Sequence, residues 1–183
     1  MIPMHQITGR LGNQMFQYAF FYTYAREHGI DHYYQDPKFF EDRKDEILQI
    51  FREGIGEPVD MVAIHVRRGD YVNNPFYVDL MSTNYYEEAM LLFPDKKFVV
   101  FSDDIEWCRQ QPIFSDCEFA HGSEVDDMND MASCVGHIIA NSSFSWWAAY
   151  ISPYTKKVVA PSVDNWHPDG VERTVCPPEW IRL

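Results

Sequence analysis

The sequence predicts an α/β protein built on a doubly wound parallel sheet. Two observations carry that prediction. Apolar, β-branched runs such as Met61-Val62-Ala63-Ile64 and Phe98-Val99-Val100 are nearly continuous, as strands buried on both faces are. These runs alternate with segments of helical spacing, which parallel strands need as crossovers.

Along the chain, residues 4–8 read as a short strand and Gly9-Arg10-Leu11-Gly12-Asn13-Gln14 as a tight glycine turn. Residues 15–28 show helical spacing through Met15, Tyr18, Ala19, Tyr22 and Ala25, with Gly29 placed as a C-cap. Residues 36–52 are polar and read as a helix with loops. Gly54-Ile55-Gly56-Glu57-Pro58 marks a boundary between a small segment, 1–58, and a domain, 59–183. Within that domain five strands are predicted at 60–66, 97–102, 116–120, 137–140 and 157–160, separated by helices at 84–92, 103–110, 126–134 and 144–151.

The 183 residues are 46% hydrophobic, enough for one compact domain, or one domain with a small appendage. A net charge of -13 argues against nucleic acid and anionic membranes as partners. Four cysteines show no metal-ligand spacing and read as thiols of a reducing compartment. No signal-peptide core and no apolar run of about 18 residues is seen, so a soluble, cytoplasmic protein without an integral membrane segment is expected. The sequon Asn141-Ser142-Ser143 then has no role as a glycosylation site.

Four motifs carry chemistry. His65-Val66-Arg67-Arg68-Gly69-Asp70-Tyr71 follows the first domain strand, so an imidazole, two guanidiniums and a carboxylate stand at its carboxyl end. Open α/β sheets bind ligands there, and the guanidinium fork matches phosphate oxygens. Phe101-Ser102-Asp103-Asp104 closes the next strand; its carboxylates either cap the following helix or face the cleft, and a helix start is a poor metal site. Asn141-Ser142-Ser143-Phe144-Ser145-Trp146-Trp147 opens a helix, where hydroxyls and free amides either cap it or hold an anion. The glycines of residues 9–14 serve packing or close ligand approach. Asp127, read by itself, is a helix-end charge.

Together these motifs resemble the α1,2-fucosyltransferases of glycosyltransferase family eleven. The likeness runs through Gly9 to Tyr18, His65 to Tyr71, Phe101 to Asp104 with Trp107, and Asp127 to Trp147, in the family's order. It implies a GT-B arrangement in which the second of two Rossmann-like domains holds the donor, GDP-β-L-fucose. The implied reaction is inverting, metal-independent transfer of L-fucose to the 2-hydroxyl of a galactose-terminated oligosaccharide, with no cofactor. By the same resemblance Arg67 grips the donor pyrophosphate, His65 and Asp127 contact the guanosine, and Ser143, beside Ser142, binds phosphate. Asp70 and Arg68 support the arginine site, Asp103 joins the donor site, and Asn13 faces the reacting centre. The general base stays open: Asp79 is a candidate carboxylate, while Asn13 could only orient the acceptor hydroxyl.

About fifty residues separate the first motif from His65, which reads as a reduced acceptor side, since one βαβ unit already takes about 30 residues. Three readings follow: an active transferase, a GDP-fucose-binding protein without efficient transfer, and an adhesive surface on Arg68-Gly69-Asp70. An ion-paired pocket explains that tripeptide more simply. The aromatic stripe Phe16, Phe20, Phe21 and Tyr24 either packs into the core or joins copies of the chain in a homo-oligomer.

Overall fold

The structure is a computed structural model and describes residues 7–25 and 35–183, without the side chains of Tyr24 and Ala25. Six strands form one sheet: β1 Val59–Val66, β2 Lys97–Ser102, β3 Glu118–Phe119, β4 Cys134–Ile138, β5 Lys157–Ala160 and β6 Ile181–Arg182. Their order is β3-β2-β1-β4-β5-β6, and every pairing is parallel. This is the predicted α/β, doubly wound, Rossmann-like sheet.

The helices are α1 Leu11–Phe20, α2 Lys44–Phe51, α3 Tyr85–Leu91, α4 Ile105–Cys108, α5 Glu124–Ser133, α6 Ser143–Ile151 and α7 Val163–Trp166. A π-helical turn, Phe21–Ala25, continues α1. Alternate strand residues serve opposite faces, as the two-residue period of a strand requires. Ala63, Phe101 and Val158 pack with α1, α2, α5 and α6, whereas Val62, Ile64, Val100 and Val159 pack with α3 and α4.

The face under α6 is unusually aromatic. Trp146 and Trp147 are fully buried, and the Phe16 ring lies 4.6 Å from Trp146 and 4.9 Å from Trp147, centroid to centroid. Phe40 stacks on Trp147 at 5.6 Å. Each such pair contributes about 0.5–1.5 kcal/mol beyond its buried area. Phe16 and Phe20 are both buried, so core packing is the role of these two members of the stripe. Helix α1 approaches α6 so closely that a Cβ at Gly12 would lie 2.7 Å from the Phe144 Cα.

Several boundaries differ from the sequence reading. Helix α1 begins at Leu11, because Arg10 is extended (φ -82°, ψ 169°) and acts as its N-cap; the glycine turn is confined to Gly9 and Arg10. The strand expected at 4–8 falls largely outside the described residues, as do the last turn of the expected 15–28 helix and the C-cap at Gly29. Helix α5 starts early because Ser123 and Asp126 form a capping box. Cys134 then turns extended at once (φ -73°, ψ 150°), so β4 occupies 134–138 rather than 137–140. Strand β3 is cut to two residues at a sheet edge, and the helix expected over 103–110 shortens to one turn capped by Asp104. The short edge strand β6 escaped prediction because two residues carry no periodicity.

Tyrosine hydroxyls tie the carboxyl ends of the strands. Tyr86 Oη donates to the His65 carbonyl at 2.9 Å, and Tyr85 Oη donates to that of Ile139 at 2.7 Å. The chain leaves β1 toward β2 and later returns to the other side of β1 as β4. The switch point therefore opens between the ends of β1 and β4, where ligands of open α/β sheets bind.

Candidate active site

A cleft of about 370 Å³ lies at that switch point. Gly9, Arg10, Gly12 and Asn13 line it together with Ser142, Ser143 and Phe144, against which Gly12 and Asn13 pack. Its floor is His65, Arg67, Asp70 and Asp103, with Asp127 and Glu124 at the start of α5.

Arg67 is the centre of the floor. Its side chain is 8% exposed, and its two terminal nitrogens donate to Asp103 Oδ2 and Asp70 Oδ1. Its guanidinium also lies 5.2 Å from the Tyr71 ring centroid, a cation–π distance. Gly69 adopts φ 33°, a left-handed conformation in which any Cβ would collide with Asp103. That close approach lets one Asp103 oxygen accept the Arg68 N–H at 2.9 Å while the other serves Arg67 and, at 3.2 Å, Arg10. Burial opposes ionisation of Asp103, but the Arg68 N–H and the two guanidiniums prevail and hold its carboxyl below the usual range.

His65 is buried, and its Nδ1 has no hydrogen-bond partner among the described residues. Burial, reinforced by the charges of Arg67 and Arg10 and opposed by Asp103, lowers its pKa to about 3. The ring is therefore neutral at pH 7 and lies 5.3 Å from the ring of Phe144. Asp127 Oδ1 accepts the Gly122 N–H at 3.1 Å; burial, with Asp130 and Asp126 nearby, raises its pKa against that hydrogen bond.

Helix α6 points its N-terminus at the cleft. Ser142 caps it by accepting the Phe144 N–H at 3.3 Å, and Ser143 Oγ donates to Asn13 Oδ1 at 2.7 Å. Ser142 is thus a cap, and Ser143 reaches across to α1. A helix N-terminus beside Arg67 favours an anion.

The fold brings eight of the sequence-selected residues into this one cleft: Asn13, His65, Arg67, Asp70, Asp103, Asp127, Ser142 and Ser143. It does not bring Arg68 or Asp79. Arg68 is turned away from the cleft, lying 3.4 Å over the Trp107 ring and 3.4 Å from Asp104. Asp79 is exposed and caps a 3-10 turn by accepting the Met81 N–H at 3.1 Å. Sequence reasoning missed Arg10, Glu124, Tyr71 and Tyr77. Arg10 pairs with Glu124 at 2.8 Å, across 114 positions of sequence, which no local pattern announces. Tyr71 and Tyr77 stack with centroids 3.7 Å apart; Tyr71 stood within a motif, but Tyr77 carried no signal. Among the described residues no three His, Cys, Asp or Glu side chains converge as a metal site needs, and no helix is long and apolar enough to cross a membrane.

A parallel sheet with an arginine and a helix N-terminus at its switch point defines an α/β protein whose cleft carries groups that favour an anion. Residues 31–183 match the sequence model described as Glycosyl transferase family 11, and the chain belongs to that family. It is 32% identical over 152 residues to the O-antigen biosynthesis glycosyltransferase WbnK of Escherichia coli, covering 74% of this chain and 49% of that protein. Over 181 residues it is 32% identical to an alpha-1,2-colitosyltransferase of Escherichia coli, covering 82% of this chain and 61% of that protein. It is also 33% identical over 124 residues to the galactoside 2-alpha-L-fucosyltransferase Sec1 of Mus musculus, covering 58% and 34%. The chain thus spans about half the length of the first two relatives.

Proposed function

We propose that this chain is the donor-binding part of a galactoside α1,2-fucosyltransferase of GT-B arrangement. The donor is GDP-β-L-fucose, and the sugar passes to the 2-hydroxyl of a galactoside with inversion and without a metal ion. The observation that carries the reading is the convergence of Arg67 with the α6 N-terminus at Ser142 and Ser143. Relatives named for a 1,2 linkage support it.

In this reading the acceptor hydroxyl attacks the anomeric carbon, releasing its proton to solvent, while the bond from that carbon to the β-phosphate oxygen breaks. Negative charge grows on the phosphate, and Arg67 with the amides at the start of α6 receives it; fixed donors of this kind are worth about 3 kcal/mol of barrier each. His65 and Asp127 take the guanosine. His65, held neutral, offers hydrogen bonding without adding charge. Asp127 would accept from guanine N1 and N2.

The reading without efficient transfer rests on a separate observation. The cleft's carboxylates are already engaged: Asp70, Asp103 and Glu124 by arginines, Asp127 by the Gly122 N–H. Each of them already accepts a hydrogen bond from within the chain before any acceptor arrives. One assay decides between the readings: GDP release from GDP-β-L-fucose with and without lactose or N-acetyllactosamine, in Mg²⁺ and in excess chelator. Acceptor-dependent release that is indifferent to chelator is expected. Binding of GDP-fucose with no acceptor-dependent release would establish the second reading, and loss of release under chelation would sink the metal-free mechanism.

A further inference from the structure

We propose that Gln35 is a positioning residue that turns the Asn13 amide so that its N–H bonds face the cleft. This deepens the donor-binding reading and rests on it for one point only, that the ligand is the diphosphate of a nucleotide sugar.

An asparagine amide offers two opposite surfaces, a donor and an acceptor, and a half-turn exchanges them. Which one faces a ligand depends on what fixes the other. Here the carbonyl side is fixed. Asn13 Oδ1 accepts from Ser143 Oγ at 2.7 Å and from Gln35 Nε2 at 3.1 Å. The Asn13 Nδ2 group makes no hydrogen bond among the described residues and lies on the side of Gly9, which lines the cleft with it.

Gln35 is itself oriented from behind. Its Oε1 accepts from Thr174 Oγ1, so its Nε2 is turned toward Asn13. Thr174 is 3% exposed and pairs with Gln35 as a parallel bridge, and Val175 N–H donates to the Gln35 carbonyl at 2.9 Å. Val175 is held in turn by the Trp146 indole N–H at 3.1 Å. The result is a polar relay, Thr174 to Gln35 to Asn13, that links a segment near the carboxyl end of the chain to the glycine turn at the other. Its product is a neutral N–H donor in the cleft that Arg67 also lines, available to phosphate oxygens bound there. An amide turned the other way would set a carbonyl oxygen against an anion.

Gln35→Glu tests this, because a carboxylate cannot donate and should pull the Asn13 N–H bonds out of the cleft toward itself. Gln35→Met removes the hydrogen bonds at similar size and serves as the structural control. The first readout needs no ligand: the side-chain amide resonance of Asn13 in protein labelled with ¹⁵N-asparagine, assigned by its loss in Asn13→Ala. In Gln35→Glu that resonance should shift downfield and exchange more slowly with water. An unmoved resonance in a folded Gln35→Glu protein overturns the relay. The second readout is GDP affinity by calorimetry. Gln35→Glu should lose about ten- to a hundredfold, the worth of a hydrogen bond to a charged group, and Gln35→Met several-fold less. In an Asn13→Ala background the Gln35→Glu penalty should shrink to the repulsion of the added carboxylate alone; an undiminished penalty there overturns the proposal in favour of a purely structural Gln35. Absence of GDP binding by the unaltered protein would refute the donor reading, while the resonance would still decide the relay.

Discussion

Acid should destabilise this protein through two buried imidazoles, one of them at the cleft. Burial, helped by Arg67 and Arg10, lowers the pKa of His65 to about 3. Burial likewise lowers that of fully buried His137 to about 4, against the pull of its hydrogen bond to the Met131 carbonyl. Both start from 6.5, the value each regains when the chain unfolds. Between the folded and unfolded values the unfolded chain holds the proton and the folded chain does not. Stability therefore rises with pH through that window and is lost as pH falls below 6.5. From pH 7 to pH 5 the loss is about 2 kcal/mol for each histidine. The figure hardly depends on the folded value once that value lies well below 5. Asp127, whose pKa is raised, acts with the opposite sign in its own window, but its contribution is common to every variant and drops out of the comparison. Urea unfolding at pH 7 and pH 5 checks this for the unaltered protein, His65→Gln and His137→Gln. The unaltered protein should lose about 4 kcal/mol through the pair, and each variant about 2 kcal/mol less. A His65→Gln protein whose stability falls with pH as steeply as the parent's would show that His65 is not held neutral by its surroundings.

Gly12→Ala should lower the thermal midpoint by about 4–8 °C, because overpacking of this kind costs ~2 kcal/mol and the added Cβ meets the Phe144 backbone; an unchanged midpoint would mean that α1 and α6 separate freely. Arg67→Ala should abolish measurable GDP binding in calorimetry while the protein stays folded, since a charged hydrogen bond contributes about 1.5–3 kcal/mol and the arginine offers two; undiminished affinity would take Arg67 out of the phosphate site. GDP should bind about five- to a hundredfold more tightly than ADP if Asp127 receives the guanine N–H groups, as about 1–3 kcal/mol follows from leaving a buried acceptor unpaired. Equal affinities would leave Asp127 as a helix-end charge that holds Gly122.

The sheet was legible because its strands are long apolar runs with charged residues at their ends. β1, β2 and β5 stand almost where hydrophobicity puts them. Boundaries set by local capping hydrogen bonds were not legible: the capping box of Ser123 and Asp126 moved the start of α5, and the Asp104 cap moved that of α4 to Ile105. Of the site, the residues on strand ends and helix starts could be selected, because topology alone sends them to one edge of the sheet. Arg68 and Arg67 show where that reasoning stops. Adjacent in sequence and alike in chemistry, they part, one to the cleft floor and the other onto Trp107.

What the sequence determined by itself is the parallel sheet, the identity of its central strands and the gathering of His65, Arg67, Asp103, Asp127 and Ser143 at one edge. Periodicity and strand-end chemistry are local properties, and they suffice for that. Only the tertiary structure decided which charges meet. Arg67 is shared between Asp70 and Asp103, Arg10 between Asp103 and Glu124, and Asn13 is oriented by Gln35 and Ser143. These partners come from separate elements, and a hydrogen bond depends on separations of about 3 Å that no spacing along the chain can specify.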